Sequence, residues 1–154
     1  MKISSLLLFA AVTAVACPGA GYRLYVGTYT PAGGASRGIY TLTFDPATGR
    51  FGESGLAAAA PNPSFLALRP DGGVLYAAEE DGGNGRVGGA VMALACDAAT
   101  GRLRLLNRRA ATGADTAHLA VDATGHLLVT ANYTGSQIAA FPLQTNGRLS
   151  ERST

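Results

Sequence analysis

Charged side chains and cysteines are scarce in this chain. Of its 154 residues only 14% are charged, 12 of them basic and 10 acidic; there are two cysteines and no tryptophan. Two cysteines allow at most one bridge, which excludes a disulfide-dense scaffold. A net charge of +2, with the arginines spread along the chain, gives no electrostatic footprint for nucleic acid, so no such partner is expected. With 47% apolar residues the chain is also too hydrophobic for a disordered polar protein.

Long apolar runs are missing except near the amino terminus. Lys2 precedes a mostly apolar stretch, residues 3–16, whose small-x-small end is typical of a secretory signal peptide. The run is shorter than the roughly 20 residues that a membrane span needs. We therefore predict a signal peptide over residues 1–16, a linker over 17–21, and export to the periplasm. A buried N-terminal strand or helix is the alternative.

Cys17 directly follows the predicted cleavage point. Leaders of bacterial lipoproteins also end in small residues followed by a cysteine, whose thiol becomes lipidated. Ala14 stands where that motif usually has leucine. Lipidation of Cys17 therefore stays open beside plain cleavage, and such an anchor is the only link to a membrane that the sequence offers.

Three short elements recur in the same order, roughly every 52 residues. Each is about five to nine residues long and is bounded by Gly, Asp, Asn or Pro, as strands are. Three elements that share one period indicate a repeated structural unit. The matching segments are 24–29, 75–80 and 128–133; 45–51 and 97–103; and 65–68 and 118–121.

The middle unit predicts four strands, at about 65–69, 74–79, 89–96 and 102–109. Four antiparallel strands in each unit of this length are the pattern of a β-propeller blade. The first unit has no segment that matches 65–68, so we expect it to lack its innermost strand. The last unit ends inside its fourth strand, near Leu149. The fold class is therefore all-β, with residues 22–154 forming about two to three blades of a propeller that belongs to a longer chain.

One motif resembles a nucleotide site. Residues 83–88 fit the spacing G-x-G-x-x-G, but that chemistry needs a helix next, and the repeat predicts a strand over 89–96. The acidic residue expected about 20 positions later is also missing. Histidines and cysteines show no zinc spacing. No cofactor and no metal are expected.

Two positions carry candidate chemistry. Glu79 opens the run 79–81, which is either an acid pair for hydrolysis, part of a Ca²⁺ site, or a solvated strand end, the commonest case. His118 begins the innermost strand of its unit, where side chains face the central channel. Its counterpart in the preceding unit is Phe65, so the fold alone does not require an imidazole there. A proton-transfer role and a structural role for His118 are equally open.

The motifs taken together resemble the propeller-type lactonases, which include the 6-phosphogluconolactonases and the carboxymuconate cyclases. The resemblance spans about residues 22–149 and implies a seven-bladed propeller more than twice as long as this chain. It rests on the segments 26–30, 36–40, 44–49, 62–67, 70–72 and 118–122.

The resemblance implies an enzyme that opens a sugar lactone by attack of water on the ring ester. It places the family's catalytic histidine at His118 and substrate-binding groups at Glu79, Asn132 and Tyr133. The family often has Asn-Glu where this chain has Ala78 and Glu79, which puts the role of Glu79 in doubt. The Arg and Glu that accompany the histidine lie in later blades, so the chain as given is expected to be an inactive part of the enzyme. A non-catalytic exported propeller that binds ligands is the alternative.

Overall fold

Short antiparallel strands make up the whole described structure. The computed structural model describes residues 9–16, 21–80 and 88–152, and within these ranges every regular element is a β-strand. The strands form three sheets that follow one another along the chain. The predicted all-β class is therefore confirmed.

The first sheet pairs its strands in the order β1–β2–β3–β4, with β5 also pairing to β3. Gly49, in the β3–β4 turn, has a φ of 68°, which glycine adopts without steric cost. The strands are β1 Phe9–Ala16, β2 Tyr22–Thr28, β3 Gly38–Asp45, β4 Arg50–Phe51 and β5 Gly55–Ala59.

The second sheet is the complete repeat, with strand order β6–β7–β8–β9. Every residue of β7 is buried and β8 is nearly so, because the sheet is covered on both faces. This explains why the two strands read as continuous apolar runs rather than as alternating patterns. The strands are β6 Pro63–Leu68, β7 Val74–Glu79, β8 Ala90–Cys96 and β9 Leu103–Ala110.

The third sheet contains β10 Thr116–Val121, β11 Leu127–Asn132 and β12 Gln137–Pro142 in that order. A single further bridge joins Leu143 to Leu149 where a fourth strand is predicted. Asn107 of β9 exchanges hydrogen bonds of 2.8 and 3.0 Å with the backbone of Leu149. The end of the third repeat is thereby tied to the outer strand of the second sheet.

Two apolar cores separate the three sheets. Between the first and second sheets, Tyr25 and Ile39 pack against Leu75 and Leu94. Between the second and third sheets, Tyr76 packs with Leu128 and Phe141, among others. The Tyr76 hydroxyl donates to the Gly147 carbonyl at 2.9 Å, and burial raises the pKa of this phenol to about 12. Each sheet thus uses its neighbour as the other half of its core, as propeller blades do.

The strands β1, β6 and β10 define the inner edge of the arc. β6 lies against both β1 and β10, whereas β4 and β9 are at the outer ends of their sheets. The expectation that the first unit lacks its innermost strand is wrong, because β1 occupies this position and pairs with β2 from Ala16 back to Phe9. The pairing of this segment does not test whether it is cleaved as a signal peptide, so the signal peptide stays a prediction.

Two faces of the arc carry exposed apolar side chains. On the first sheet, Val12 is 60% exposed and Phe51 is 63% exposed. On the third sheet, Ile138 is 70% exposed, next to Leu127 and Val129. These are the sheet surfaces that a preceding and a following blade would cover.

Candidate functional site

The candidate site lies on one side of the arc, here called the top face. It consists of the segments after β2, β7 and β11 and before β6 and β10, that is, residues 29–37, 60–62, 80, 88–89, 111–115 and 133–136. The antiparallel pairing places all these ends on the same side, since each inner strand begins where its neighbour ends. The turns at 69–73 and 122–126 form the opposite, bottom face.

The top face begins with three equivalent buried residues at the ends of β2, β7 and β11. Thr28, Glu79 and Asn132 are 2%, 5% and 3% exposed. Each side chain turns into its own sheet and bonds to a neighbouring segment, as buried polar groups must. Thr28, for example, donates to the Gly38 carbonyl at 2.7 Å.

Glu79 is held by an arginine. Nε of Arg108, on β9, donates to both carboxylate oxygens at 3.0 and 2.8 Å, and a terminal guanidinium nitrogen lies 2.7 Å from Oε2. The Arg108 side chain is half exposed, whereas that of Glu79 is 6% exposed. The carboxylate beside it raises the pKa of Arg108. In this geometry Glu79 joins β7 to β9, and a substrate-binding role for Glu79, which stays a prediction, requires this pair to open.

Asn132 is equally engaged. Its amide nitrogen donates to the Thr112 carbonyl at 2.8 Å, and its amide oxygen accepts from the Thr116 hydroxyl at 2.8 Å. Tyr133, the next residue, is 83% exposed, and its backbone N–H donates to the Asp115 carbonyl at 2.8 Å. Of these two predicted substrate-binding residues, Tyr133 is therefore the one whose side chain is presented to solvent on the top face. Both roles stay predictions.

Left-handed corners introduce the inner strands β6 and β10. Asn62 and Asp115 directly precede these strands with φ values of 39° and 57°, a region that Asn and Asp tolerate better than other side chains. In both repeats the corner carbonyl accepts a hydrogen bond from the residue after the second strand, Glu80 or Tyr133. The Asn62 side chain also accepts from the Thr30 backbone N–H at 2.8 Å, which ties the first sheet to the second.

A phenol and two carboxylates meet above these corners. The Tyr29 hydroxyl donates to Oε2 of Glu80 at 2.9 Å, and Asp115, which accepts from the Thr134 hydroxyl, is close enough to act on the same phenol. Burial, followed by the interactions with Glu80 and then Asp115, raises the pKa of Tyr29. Sequence reasoning did not select Tyr29 or Asp115, and it considered Glu80 only as part of the acidic run 79–81. The repeat alignment contains the signal for Tyr29 and Glu80, since Tyr29, Glu80 and Tyr133 occupy the same position in three units.

His118 lies two residues inside β10. A bulge at the start of the strand pairs Thr116 with Asn132 but His118 with Ala131, which leaves Ala117 as the extra residue. The same bulge in β6 gives Phe65 the equivalent place, as the repeat predicts. The two rings are in contact across the sheet boundary in a tilted arrangement, with centroids 4.2 Å apart and planes inclined by 47°. His118 is exposed, so its imidazole is available to a ligand while it also contacts an aromatic ring.

A cleft lies on the bottom face. It has a volume of about 310 Å³ and lies between the turn at Arg69 and Asp71, the turn at Thr124 and His126, and Thr145. The Arg69 guanidinium is already bonded to Asp71 and to the Thr145 carbonyl. This cleft is on the opposite side from His118, and we do not assign it to the candidate site.

The remaining sequence motifs do not contribute to the candidate site, and some of them lie outside the residues that the structure describes. The segment after the glycine-rich motif is strand β8, which excludes the helix that a dinucleotide site needs. Cys17 and residues 83–87 lie outside the described residues. Within the described ranges, no three His, Cys, Asp or Glu side chains come together in a way that could hold a metal ion. In the same ranges no helix is long and apolar enough to cross a bilayer.

Comparisons with known proteins match this architecture. The family model "Lactonase, 7-bladed beta-propeller" matches residues 23–154. The 6-phosphogluconolactonase of Bacillus subtilis strain 168 is 35% identical over 128 residues, which is 83% of this chain and 35% of that protein. The 6-phosphogluconolactonase of Formosa agariphila is 28% identical over 126 residues, 82% of this chain and 35% of that protein.

A solved structure shows the same arrangement. The periplasmic gluconolactonase PpgL of Pseudomonas aeruginosa superposes with a TM-score of 0.74 at 31% identity, over 85% of this chain and 37% of that one. The chain thus spans about 35% of the length of the curated relatives it matches. With three consecutive blade-like sheets and a family match over nearly all of residues 22–154, this chain belongs to the lactonase family of seven-bladed β-propellers.

Proposed function

We propose that this chain supplies the part of a sugar-lactone hydrolase that carries the catalytic base, His118. The observation that supports the proposal is the placement of His118. It is exposed, contacts the ring of Phe65 and follows the bulge at the start of β10, in a chain that belongs to the lactonase family. The relatives named 6-phosphogluconolactonase and gluconolactonase indicate the substrate class, a lactone of an aldonic acid or of its phosphate.

The reaction needs few groups. The imidazole of His118 takes a proton from water as the water oxygen attacks the ring carbonyl carbon. The tetrahedral intermediate then collapses, the bond between that carbon and the ring oxygen breaks, and the ring oxygen receives the proton that His118 took from water, which regenerates the neutral imidazole. The product is the open-chain hydroxy acid. Hydrogen-bond donors that face the developing oxyanion lower the barrier, and arginines grip a phosphate if one is present.

Groups on the top face fit the substrate's hydroxyls. Tyr133 presents an exposed phenol, and Glu80 presents a carboxylate that already accepts from Tyr29. Phenol, carboxylate and amide groups are the usual partners of sugar hydroxyls. Since this chain spans about 35% of its relatives, we expect the oxyanion donor and the phosphate-binding arginines to come from other blades, and the chain alone to hydrolyse lactones no faster than water does.

The test is a chimera in which residues 22–152 replace the matching first third of the Bacillus subtilis relative. The expected result is a soluble monomer that hydrolyses glucono-δ-lactone or its 6-phosphate, followed by proton release at constant pH. A chimera that unfolds cooperatively but hydrolyses neither lactone contradicts the proposal. If that inactive chimera still binds the lactone in calorimetry, the alternative function, a non-catalytic binding propeller, is supported instead.

We further propose export as the route of this protein, with residues 1–16 as the leader and Cys17 as the first mature residue and candidate lipid attachment point. The name of the Pseudomonas relative, a periplasmic gluconolactonase, supports this location. The test is fractionation of a Gram-negative host that expresses the full chain, with mass spectrometry of the N-terminal peptide. An unprocessed, cytoplasmic product contradicts export, and a processed product without a lipid contradicts lipidation alone.

A further inference from the structure

Three arginines close equivalent turns of the three repeats. The turn that follows β3, β8 or β12, here called the outer turn, ends in Gly-Arg, at residues 49–50, 101–102 and 147–148. The glycines have φ values of 68°, 74° and 82°, which glycine adopts without steric cost. The arginine takes part in the turn through its backbone; in the second repeat its carbonyl accepts from the Asp97 N–H at 2.9 Å. The turn therefore constrains the glycine, but not the charge of the residue after it.

The outer turns all lie on the bottom face. In the second repeat the Cys96 N–H, just before the outer turn, donates to the carbonyl of Gly73 in the β6–β7 turn at 3.0 Å. In the first repeat β3 ends at the outer turn, opposite the start of β2. Arg23, near that start, donates to the Thr100 carbonyl of the second outer turn at 3.4 Å. The third outer turn borders the bottom-face cleft through Thr145.

The guanidinium groups of Arg50, Arg102 and Arg148, here called the arginine arc, are available to a ligand. All three residues are exposed, and within the described ranges none of them makes an ion pair. Arg102 belongs to the second sheet, which is packed against a neighbour on both faces, so this position stays accessible between two blades. The aspartates of the bottom face accept hydrogen bonds within their own turns instead. They are Asp45, Asp71, Asp97 and Asp122.

The arginine arc suits a surface with many anions better than one small anion. Sheets that pack face to face are about 10 Å apart, so charges on three consecutive sheets span roughly 20 Å or more, beyond the reach of one phosphate. Each arginine adds only a modest attraction to an anionic membrane, and stable binding usually needs a second anchor.

A candidate second anchor is attached on the same side of the molecule. Cys17 lies outside the described residues, but it precedes Tyr22, the first residue of β2, by five positions. A lipid on Cys17 is therefore tethered to the bottom end of β2 by a chain of at most about 18 Å, since an extended residue spans no more than about 3.6 Å.

We propose that the arginine arc docks this protein on an anionic lipid surface, with the bottom face towards the membrane and His118 on the side away from it. The arginines contact the lipid phosphates, and a lipid on Cys17 adds to the same interface. A lipid surface rather than a nucleic acid is the partner, because the proposed export takes the protein to a membrane and because Cys17 is tethered to this face. The proposed reaction site on the top face remains open to solvent.

The experiment compares two triple variants of the full chain, both with Cys17→Ser so that no acyl chain contributes. The first removes the arc (Arg50→Gln, Arg102→Gln and Arg148→Gln). The second removes the same charge from the top face, from the top end of β9 and from the segment beyond Leu149 (Arg37→Gln, Arg109→Gln and Arg152→Gln). The readout is co-sedimentation with vesicles of phosphatidylcholine, alone or with about one third phosphatidylglycerol. We expect the arc variant to lose at least about tenfold in partitioning to the anionic vesicles, and the other variant to stay within about threefold.

Equal losses in the two variants would overturn the proposal, and so would equal binding of the unsubstituted chain to both kinds of vesicle. Binding of a DNA duplex through the arc, without binding of anionic vesicles, would overturn it in favour of a nucleic acid. If the arc variant does not stay folded, the salt dependence of the unsubstituted chain decides. Salt should release it from the anionic vesicles only, and binding that salt leaves unchanged contradicts the arc. None of these readouts depends on lactone hydrolysis.

Discussion

The ring of Phe65 contacts the imidazole of His118 in a tilted arrangement, at a centroid distance of 4.2 Å, although the two residues belong to different sheets. They occupy the same position in consecutive repeats, each placed by a bulge in its inner strand. The imidazole thus has an aromatic neighbour and is also exposed. An aromatic neighbour thus positions the group proposed to act as the base.

His118→Ala in the chimera described above is expected to lower kcat for lactone hydrolysis by about two orders of magnitude or more, because general-base catalysis contributes on that scale. His126→Ala is the matched control, since His126 is the other histidine of the chain and lies in a bottom-face turn. Progress curves at constant pH measure both. A His118→Ala chimera with unchanged kcat would remove the base assignment.

Phe65→Leu keeps apolar bulk beside His118 but removes the aromatic ring. If Phe65 is a positioning residue, kcat falls about tenfold while KM changes little, since misplacement of a catalytic group affects the chemical step more than substrate binding. The thermal midpoint of the variant, followed by circular dichroism, controls for general destabilisation. A parallel rise in KM, or a loss of kcat explained by unfolding, would argue against positioning.

Arg108→Ala is expected to destabilise the chain by about 2–3 kcal/mol, because it leaves the buried Glu79 carboxylate without its partner. Arg104→Ala, on the same strand and exposed, is expected to change the free energy of unfolding by less than about 0.5 kcal/mol. Urea unfolding measures both. Equal effects would show that the Arg108–Glu79 pair contributes no more than any surface arginine.

Asp122 gives a pH-dependent contribution to stability. Bonds from the Thr124 hydroxyl and from backbone N–H groups of Leu127, His126 and Thr124 lower the pKa of this carboxyl to about 2. Its ordinary value, which also applies to the unfolded chain, is 3.8. Since the folded-state pKa is the lower one, the stabilisation is present above the unfolded value and is lost as the pH falls from there towards 2.

Asp122→Asn tests this directly. We expect the variant to unfold at a lower urea concentration than the unsubstituted chain at pH 6, and the difference between their midpoints to shrink between about pH 4 and pH 2. Asp97→Asn, in a turn where hydrogen bonds from Thr100 likewise lower the pKa of the carboxyl, is expected to show a pH dependence of the same direction. A midpoint difference that stays constant down to pH 2 would contradict the assigned pKa.

Ile138→Lys is expected to reduce self-association of the chain. Ile138 is 70% exposed beside Leu127 and Val129, on the open face of the third sheet, and apolar patches of this kind drive association. Leu105→Lys is the control, because Leu105 is 49% exposed on the outer strand of the second sheet, away from that face. Sedimentation velocity over a range of concentrations compares the two. If Leu105→Lys lowers association as much as Ile138→Lys does, the open face is not the contact.

Much of the fold follows from local sequence. The strands of the second repeat begin and end within about two residues of their predicted bounds, because continuous apolar runs and glycine turns carry the information within a short window. The equivalence of Phe65 and His118 also follows from the repeat. What the repeat could not reveal is β1, since a short run of small apolar residues is equally typical of a leader and of an inner strand.

The candidate site was only partly predictable. His118 is recognisable because an imidazole interrupts a repeated apolar position. The engagement of Glu79 by Arg108 is not, since the partners are 29 residues apart and meet only through strand pairing. Asn132 is likewise turned inward by Thr112 and Thr116. Whether a polar side chain faces solvent or its own sheet depends on tertiary contacts that single-sequence patterns do not contain.

A bulge recurs at the start of β1, β6 and β10, and it gives the residue that follows it the same place in each strand. Phe65 and His118 each stand three residues after a left-handed corner, Asn62 or Asp115, so the same backbone presents a different side chain in each of these two blades. The chemistry available at this position therefore depends on the side chain that each repeat carries there, and not on a difference in strand geometry.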